Sequence, residues 1–349
     1  QVIDRMMGEC AETKQPFCLF ACSNEPHSPW DKGDASRYPP ESIKLPPYIV
    51  DTPVVRETFS RYLAEITYYD QQVGQILELL DKHGQADNTL VMVVSEQGNA
   101  FPFAKWTCYG HGLQSAMIVR WPGQVAAGSR SDAMVEYTDV VPTFVQVAGG
   151  TPSDHLDGES FVDVLVGKSD KHKSFVFGEM TTRGIINGSD VYAIRTVRDE
   201  RYRLIWNLHH DRKFTNACTK ADYFQSMVAK ADAGDANAKR WVDRYHYRPE
   251  FELFDCQSDP LELNNLAADA NHAETISRLK GRLTNWMESQ GDEGKLTEAD
   301  AILHQNRYKG MSREEALDAY ENRKDRAVEN KKPSRGGKAR KKNPKKDAA

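Results

Sequence analysis

Absent from this chain is any apolar run approaching the roughly 18 residues that a membrane-spanning helix needs. Its six cysteines, at 10, 18, 22, 108, 218 and 256, form no C-x-x-C pair. A zinc knuckle and a thioredoxin-type motif are therefore excluded, and the redox compartment stays open. No internal repeat occurs, which sets aside solenoids and propellers. The chain opens on Gln1 with no basic-then-apolar leader, so an incomplete or processed N-terminus is expected. Positive charge is scarce outside one place: the net charge is -5, yet Lys331 to Lys346 is strongly basic, so the remainder is correspondingly acidic. Neither a nucleic-acid nor a membrane partner is expected of such a body.

What is present is a chain of soluble globular composition, 349 residues with 39% hydrophobic and 28% charged, enough for more than one domain. Its pattern predicts an α/β domain over 1–168, a smaller α+β subdomain over 169–295, and over 296–349 a helical stretch and then a basic disordered tail. After a short helical opening, Pro16 to Ser23 (PFCLFACS) reads as a buried strand, followed by a loop in which two prolines fix His27. From Thr52 to His83 the residues Tyr62, Ile66, Tyr69, Val73, Ile76 and Leu80 recur at helical spacing, with Thr52-Pro53 as cap and Gly84 as stop. Tyr137 to Val147 reads as a short helix. Ser174 to Met180, Val191 to Arg198, Tyr202 to Leu208 and Phe251 to Asp255 predict a small antiparallel sheet, covered by a helix over Glu274 to Met287. Tyr202, Leu204 and Trp206 alternate as for one buried face.

The chemistry concentrates between Val91 and Pro122. An apolar run, Val91 to Val94, reads as a strand buried on both faces and breaks into Ser95-Glu96-Gln97-Gly98. Ligands collect just beyond such strand ends in open α/β sheets. Glu96 and Gln97 offer hard oxygen donors suited to Ca²⁺ or Mg²⁺, although a solvated polar turn is the commoner identity of such residues. Lys105, eight residues after Gln97, could hold an anion and neutralise a leaving oxyanion. Trp106 and Tyr109 beside it form a site wall, and His111, between two glycines, is a further candidate. His27 could donate to an anion or move a proton to a leaving group. Together these predict hydrolysis of a sulfate or phosphate ester.

Several motifs in order, Asn24-Glu25-Pro26-His27-Ser28-Pro29, Ser95-Glu96-Gln97-Gly98, Lys105-Trp106-Thr107, Arg120-Trp121-Pro122-Gly123, Tyr137-Thr138-Asp139-Val140-Val141-Pro142-Thr143 and Phe251-Glu252-Leu253-Phe254-Asp255 with Ser258 to Leu266, resemble the sulfatases of the alkaline phosphatase superfamily. Sulfamidase-like (heparan N-sulfatase-like) members are the most similar. The resemblance implies a three-layer α/β sandwich with a mixed central sheet, followed by a small antiparallel sheet with a helix. It implies one Ca²⁺ held in part by Glu96 and Gln97, a sulfate held by Lys105, and His27 at the sulfate or leaving group. It also implies a formylglycine made from Cys or Ser in C/S-x-P-x-R by a formylglycine-generating or sulfatase-maturating enzyme, a sulfated saccharide substrate, and a periplasmic or secreted location. Two departures stand out. Glu-Gln replaces the usual Asp-Asn or Asp-His, one methylene longer on each side chain, and no cysteine or serine here is followed by x-P-x-R. An N-terminally truncated sulfatase, inactive as it stands, is the expectation. The alternatives are a phosphodiesterase or phosphonate hydrolase of the same superfamily, or a non-catalytic carbohydrate-binding relic using Trp30, Trp106, Tyr109 and Trp206.

Overall fold

The opening helix α1 (Val2–Thr13) ends on Lys14 in the left-handed region and is tied by Asp4 to Lys82 and His83 at the end of the longest helix. The computed structural model describes residues 1–183 and 188–329. Helix α2 (Pro53–Lys82) starts where its sequence predicts. Thr52 accepts a hydrogen bond from the Val55 N–H, Pro53 fills the first turn, and Gly84 leaves the helix at φ +66°.

Strand β1 (Val91–Val94) runs into the turn at Glu96, and the chain returns through a compact loop and the single helical turn α3 (Gly110–Leu113) to β2 (Met117–Arg120). β1 and β2 pair antiparallel as a two-stranded sheet. Two sequence expectations change here. Pro16 to Ser23 forms neither strand nor helix, and Phe20 is 70% exposed. β1 is not buried on both faces: Val94 and, on β2, Ile118 are exposed, because no third strand among the described residues covers them. An apolar run specifies a strand that can be buried; burial itself needs neighbours.

Helices α4 (Val140–Val147) and α5 (Val162–Leu165) follow, with buried Asp139 bonding the N–H groups of Glu136 and Glu159. Then β3 (Val176–Met180), β4 (Ile194–Arg198), β5 (Tyr202–Asn207), α6 (Asp222–Asp232), α7 (Ala236–His246) and β6 (Phe251–Asp255) build a four-stranded antiparallel sheet in the order β3-β4-β5-β6. Helix α8 (Ala273–Ser289) covers one face, packing Leu279, Leu283 and Met287 on Val197, Leu204 and Leu253. The opposite face is buried too. Ile194, Ile205 and Phe254 meet Phe103 and Tyr109 of the β1–β2 connection, with Tyr245 of α7, in the main core. The α/β class and the C-terminal antiparallel sheet with its helix are as expected; the second buried face of the sheet is a finding.

Residues Gln1–Glu298 form one compact unit. From Ala299 a second unit gathers Ile302, Tyr308 and Ala316 into its own small core; helix α9 (Lys295–Asp300) spans the boundary and α10 (Arg313–Glu329) closes the described part. The basic stretch Lys331 to Lys346 lies outside the described residues. Among the described residues no helix is long and apolar enough to cross a membrane.

Candidate functional site

The loop Phe101 to Tyr109 behaves as a piece of core that presents one cation. Phe101, Phe103, Ala104, Thr107, Cys108 and Tyr109 are buried, and Phe101 stacks on Phe59 of α2 at 3.9 Å between ring centroids. Its backbone is held by Asn99, whose carbonyl accepts from the Lys105 N–H at 2.9 Å and whose side chain accepts from the Phe101 N–H. Phe103 and Trp106 sit at φ +65° and +68°, a region that costs non-glycine residues about 1 kcal/mol or more. Burial of Phe103 offsets that strain, and Lys105, between the two aromatics, lines the groove with Trp106.

The Lys105 ammonium makes a 2.7 Å ion pair with Glu96 and lies 5.8 Å from the Trp106 ring centroid. Lys105 is 15% exposed in its side chain and Glu96 60%, so the carboxylate is the mobile partner. Both border a groove of about 2550 Å³, which His27, Trp106 and His111 also line. Small-molecule clefts commonly measure about 300–1,000 Å³, so the groove exceeds what one sulfate ester fills.

His27 stands at the groove on the loop that replaces the expected strand end. Its Nδ1 is 2.7 Å from the Ser28 carbonyl, so that nitrogen carries the proton and Nε2 is left to act. The loop is fastened from outside: Glu65 of α2 accepts from the N–H groups of Asp31 and Lys32, and Trp30 stacks on Phe101 at 5.1 Å. Trp30 is thus the hinge between the histidine loop and the lysine loop. Tyr69 and Tyr137 donate to the carbonyls of Val94 and Ser95, fixing the turn that carries Glu96. Neither tyrosine, nor Asn99, is marked by the sequence as a site residue, Tyr69 because an aromatic at helical spacing reads as core.

Gln97 and Tyr109 depart from expectation. Gln97 is exposed and is not among the groove residues. Tyr109 is 2% exposed and spends its hydroxyl on Glu252 of β6, with the phenol pushed upward by burial and then by that carboxylate. It is a core residue that anchors the loop, not a sugar contact. His111 does reach the groove; its Nε2 is buried without a partner, and burial pulls its pKa down, Glu262 opposing.

A calcium ion takes about six to eight oxygens. Glu96 turns one carboxylate toward the groove, already engaged by Lys105, and among the described residues no group of three or more His, Cys, Asp or Glu is arranged to hold a metal. The donors described here do not by themselves fit that ion.

Comparison with known proteins falls on this region. The sulfatase family model matches residues 1–150, and a model described as N-sulphoglucosamine sulphohydrolase, C-terminal, matches 98–223; the two overlap across the Lys105 loop. An ulvan-active sulfatase from Formosa agariphila is 30% identical over 296 residues, 83% of this chain and 55% of that protein. Human N-sulphoglucosamine sulphohydrolase is 26% identical over 264 residues, 71% of this chain and 51% of that protein. A crystal structure described as a sulfatase from Bacteroides fragilis superposes with a TM-score of 0.61 at 22% identity, over 84% of this chain and 58% of that one, a likeness of fold. The chain spans about half the length of the curated relatives it matches.

Proposed function

We propose, from the premise that the chain belongs to the sulfatase family, that it forms part of a hydrolase of sulfuric esters carried on a saccharide. In this reading Lys105 holds the sulfate. The observation that carries it is the Lys105 ammonium, raised on a buried aromatic loop, bordering a groove, with one exposed carboxylate as its counter-ion. When the ester S–O bond breaks, negative charge grows on the departing oxygen and on the sulfuryl oxygens. A cation already in place stabilises that charge without reorganisation.

Glu96 occupies the position an anion would take on Lys105, so docking of a sulfate requires Glu96 to swing away. Its exposure makes the displacement cheap, since exposed ion pairs contribute about 0.2–1 kcal/mol. His27, with Nδ1 committed to Ser28, offers Nε2 as a proton acceptor or, once protonated, as a donor to a leaving oxygen. Trp106 gives the groove a flat apolar wall on which a sugar ring could stack. The ulvan-active and N-sulphoglucosamine relatives support a sulfated saccharide as the substrate class. Calcium, the formylglycine nucleophile and its maturation enzyme are proposed for the whole protein, with Glu96 as one oxygen donor.

Titration of inorganic sulfate into this chain, followed by calorimetry, tests the reading. Lys105→Ala is expected to weaken sulfate by about 10–100-fold, the scale of a charge-assisted hydrogen bond. Glu96→Gln should tighten it by up to about fivefold, the competitor being a surface ion pair. Sulfate affinity indifferent to Lys105→Ala would sink the proposal, and a strong preference for phosphate would move it to the phosphoester hydrolases.

A further inference from the structure

Beyond the groove, one buried carboxylate joins the C-terminal sheet to the loop that carries the cation. Glu262, in the turn after β6, is 4% exposed. One of its oxygens accepts from the Gly110 N–H at 2.8 Å, and the other accepts from Arg203 Nε of β5 at 2.7 Å. Its own backbone sits at φ +53°, a conformation rare for glutamate and kept only where the surroundings over-determine it. Arg244 of α7 supplies that constraint: its guanidinium donates to the carbonyls of Glu262 and Leu263, both at 2.6 Å. A residue held in strain by one arginine so that its carboxylate can reach a loop backbone and a second arginine is a built device.

What the device holds is the turn Gly110 to Leu113, and that turn is wedged against the Lys105 loop. A Cβ on Gly112 would meet the carbonyl oxygens of Ala104 and Thr107 at 2.5 Å each. A Cβ on Gly98 would meet the His111 carbonyl at 2.4 Å and the Lys105 nitrogen at 2.9 Å. On its far side the turn packs Leu113 against β3, where a Cβ on Gly178 would lie 2.7 Å from Leu113 Cδ1 and oblige that side chain to shift. Displacement of Gly110 is therefore passed by backbone contact to both sides of Lys105.

We infer that Glu262 is a positioning residue for the anion site, fixing through the Gly110 N–H the turn that bears His111 and backs the Lys105 loop. The inference rests on the reading of Lys105 as the sulfate holder. It assigns to the C-terminal sheet a part in binding, although β3 to β6 contribute no side chain to the groove wall.

The test uses the whole chain, inorganic sulfate as probe, and NMR of the Gly110 amide and the His111 ring. Glu262→Ala is expected to weaken sulfate about 10–100-fold, the usual cost of losing a partner that orients a contact residue, and to shift the Gly110 amide and the His111 titration. Glu262→Gln keeps an acceptor oxygen for Gly110 but no charge. It should recover most of the sulfate affinity while the His111 titration stays displaced, which a merely structural role would not separate. Leu279→Ala, in the α8 core on the far side of the sheet, serves as a destabilised control and should leave sulfate affinity unchanged. Equal loss in Leu279→Ala and Glu262→Ala overturns the inference, as does an unaltered Gly110 amide in Glu262→Ala. If the wild-type chain binds no sulfate, or binds it without Lys105, the sulfatase reading fails by itself, and the Gly110 and His111 signals still decide whether Glu262 positions the turn.

Discussion

Protonation separates the histidines of this chain by what surrounds each ring. His111, His209 and His246 are all pulled below the ordinary imidazole value, in each case first by burial. His209 shows the cost of charging most directly, because its Nδ1 accepts from the Ala193 N–H at 3.1 Å, and a proton there would set two N–H groups against each other. A histidine whose folded pKa lies below its unfolded value of about 6.5 adds stability that is complete above that value. That stability is lost as pH falls through the folded pKa. Urea unfolding midpoints are thus expected to drop between about pH 7.5 and about pH 5, and His209→Gln should flatten the slope. Asp139, which burial alone would raise but Lys173 and two backbone N–H groups hold low, acts in a separate window below about pH 4. Lys105 and His27 were legible as site candidates from their company in the sequence. Tyr109 follows the groove-lining Lys105 and Trp106 by only a few residues, and only its pairing with Glu252 shows that it points into the core.

At the scale of elements, glycines divide into those that fit nothing else and those that cost stability. Gly281, in the middle of α8, has open space where a Cβ would go, so Gly281→Ala is expected to stabilise the fold by about 1 kcal/mol in thermal or urea unfolding. Gly112 has none, and Gly112→Ala should destabilise by about 2 kcal/mol or more and remove sulfate binding, because the Lys105 loop must move to admit a methyl group. Phe101, stacked between Phe59 and Trp30, binds α2, the histidine loop and the lysine loop together. Phe101→Ala should cost about 3–5 kcal/mol in chemical denaturation. Helix α2 is legible at both ends from its Thr52-Pro53 cap and Gly84 stop, and α8 from periodicity alone, its N-terminus having no side-chain cap. The Pro16 to Ser23 segment was not, because a strand exists only where a partner completes its hydrogen bonds.

Across the whole molecule the asymmetry is between two ends of one unit. The C-terminal sheet is buried on both faces, whereas β1 and β2 leave Val94 and Ile118 open, and Phe20, Tyr137 and Val141 are exposed near a groove far larger than a single sulfate ester. Apolar surface of that extent binds apolar partners. This chain on its own is expected to enhance the fluorescence of an apolar dye and to broaden with concentration in gel filtration; a sharp monomer peak with no dye signal would contradict the open groove.

The sequence by itself determined the resemblance to sulfatases, the α/β class, most of the helices and strands in their order, and the residue types from which an anion site can be made, because periodicity, caps and short motifs are local. The tertiary structure alone decided that Glu96 pairs with Lys105, that Tyr109 is buried against Glu252, and that Glu262 reaches across 152 positions to Gly110. The Tyr109 and Glu262 contacts join residues more than a hundred positions apart, and even the nearer Glu96–Lys105 pair depends on how the loop packs, because no local preference encodes which way a side chain faces until the elements have packed.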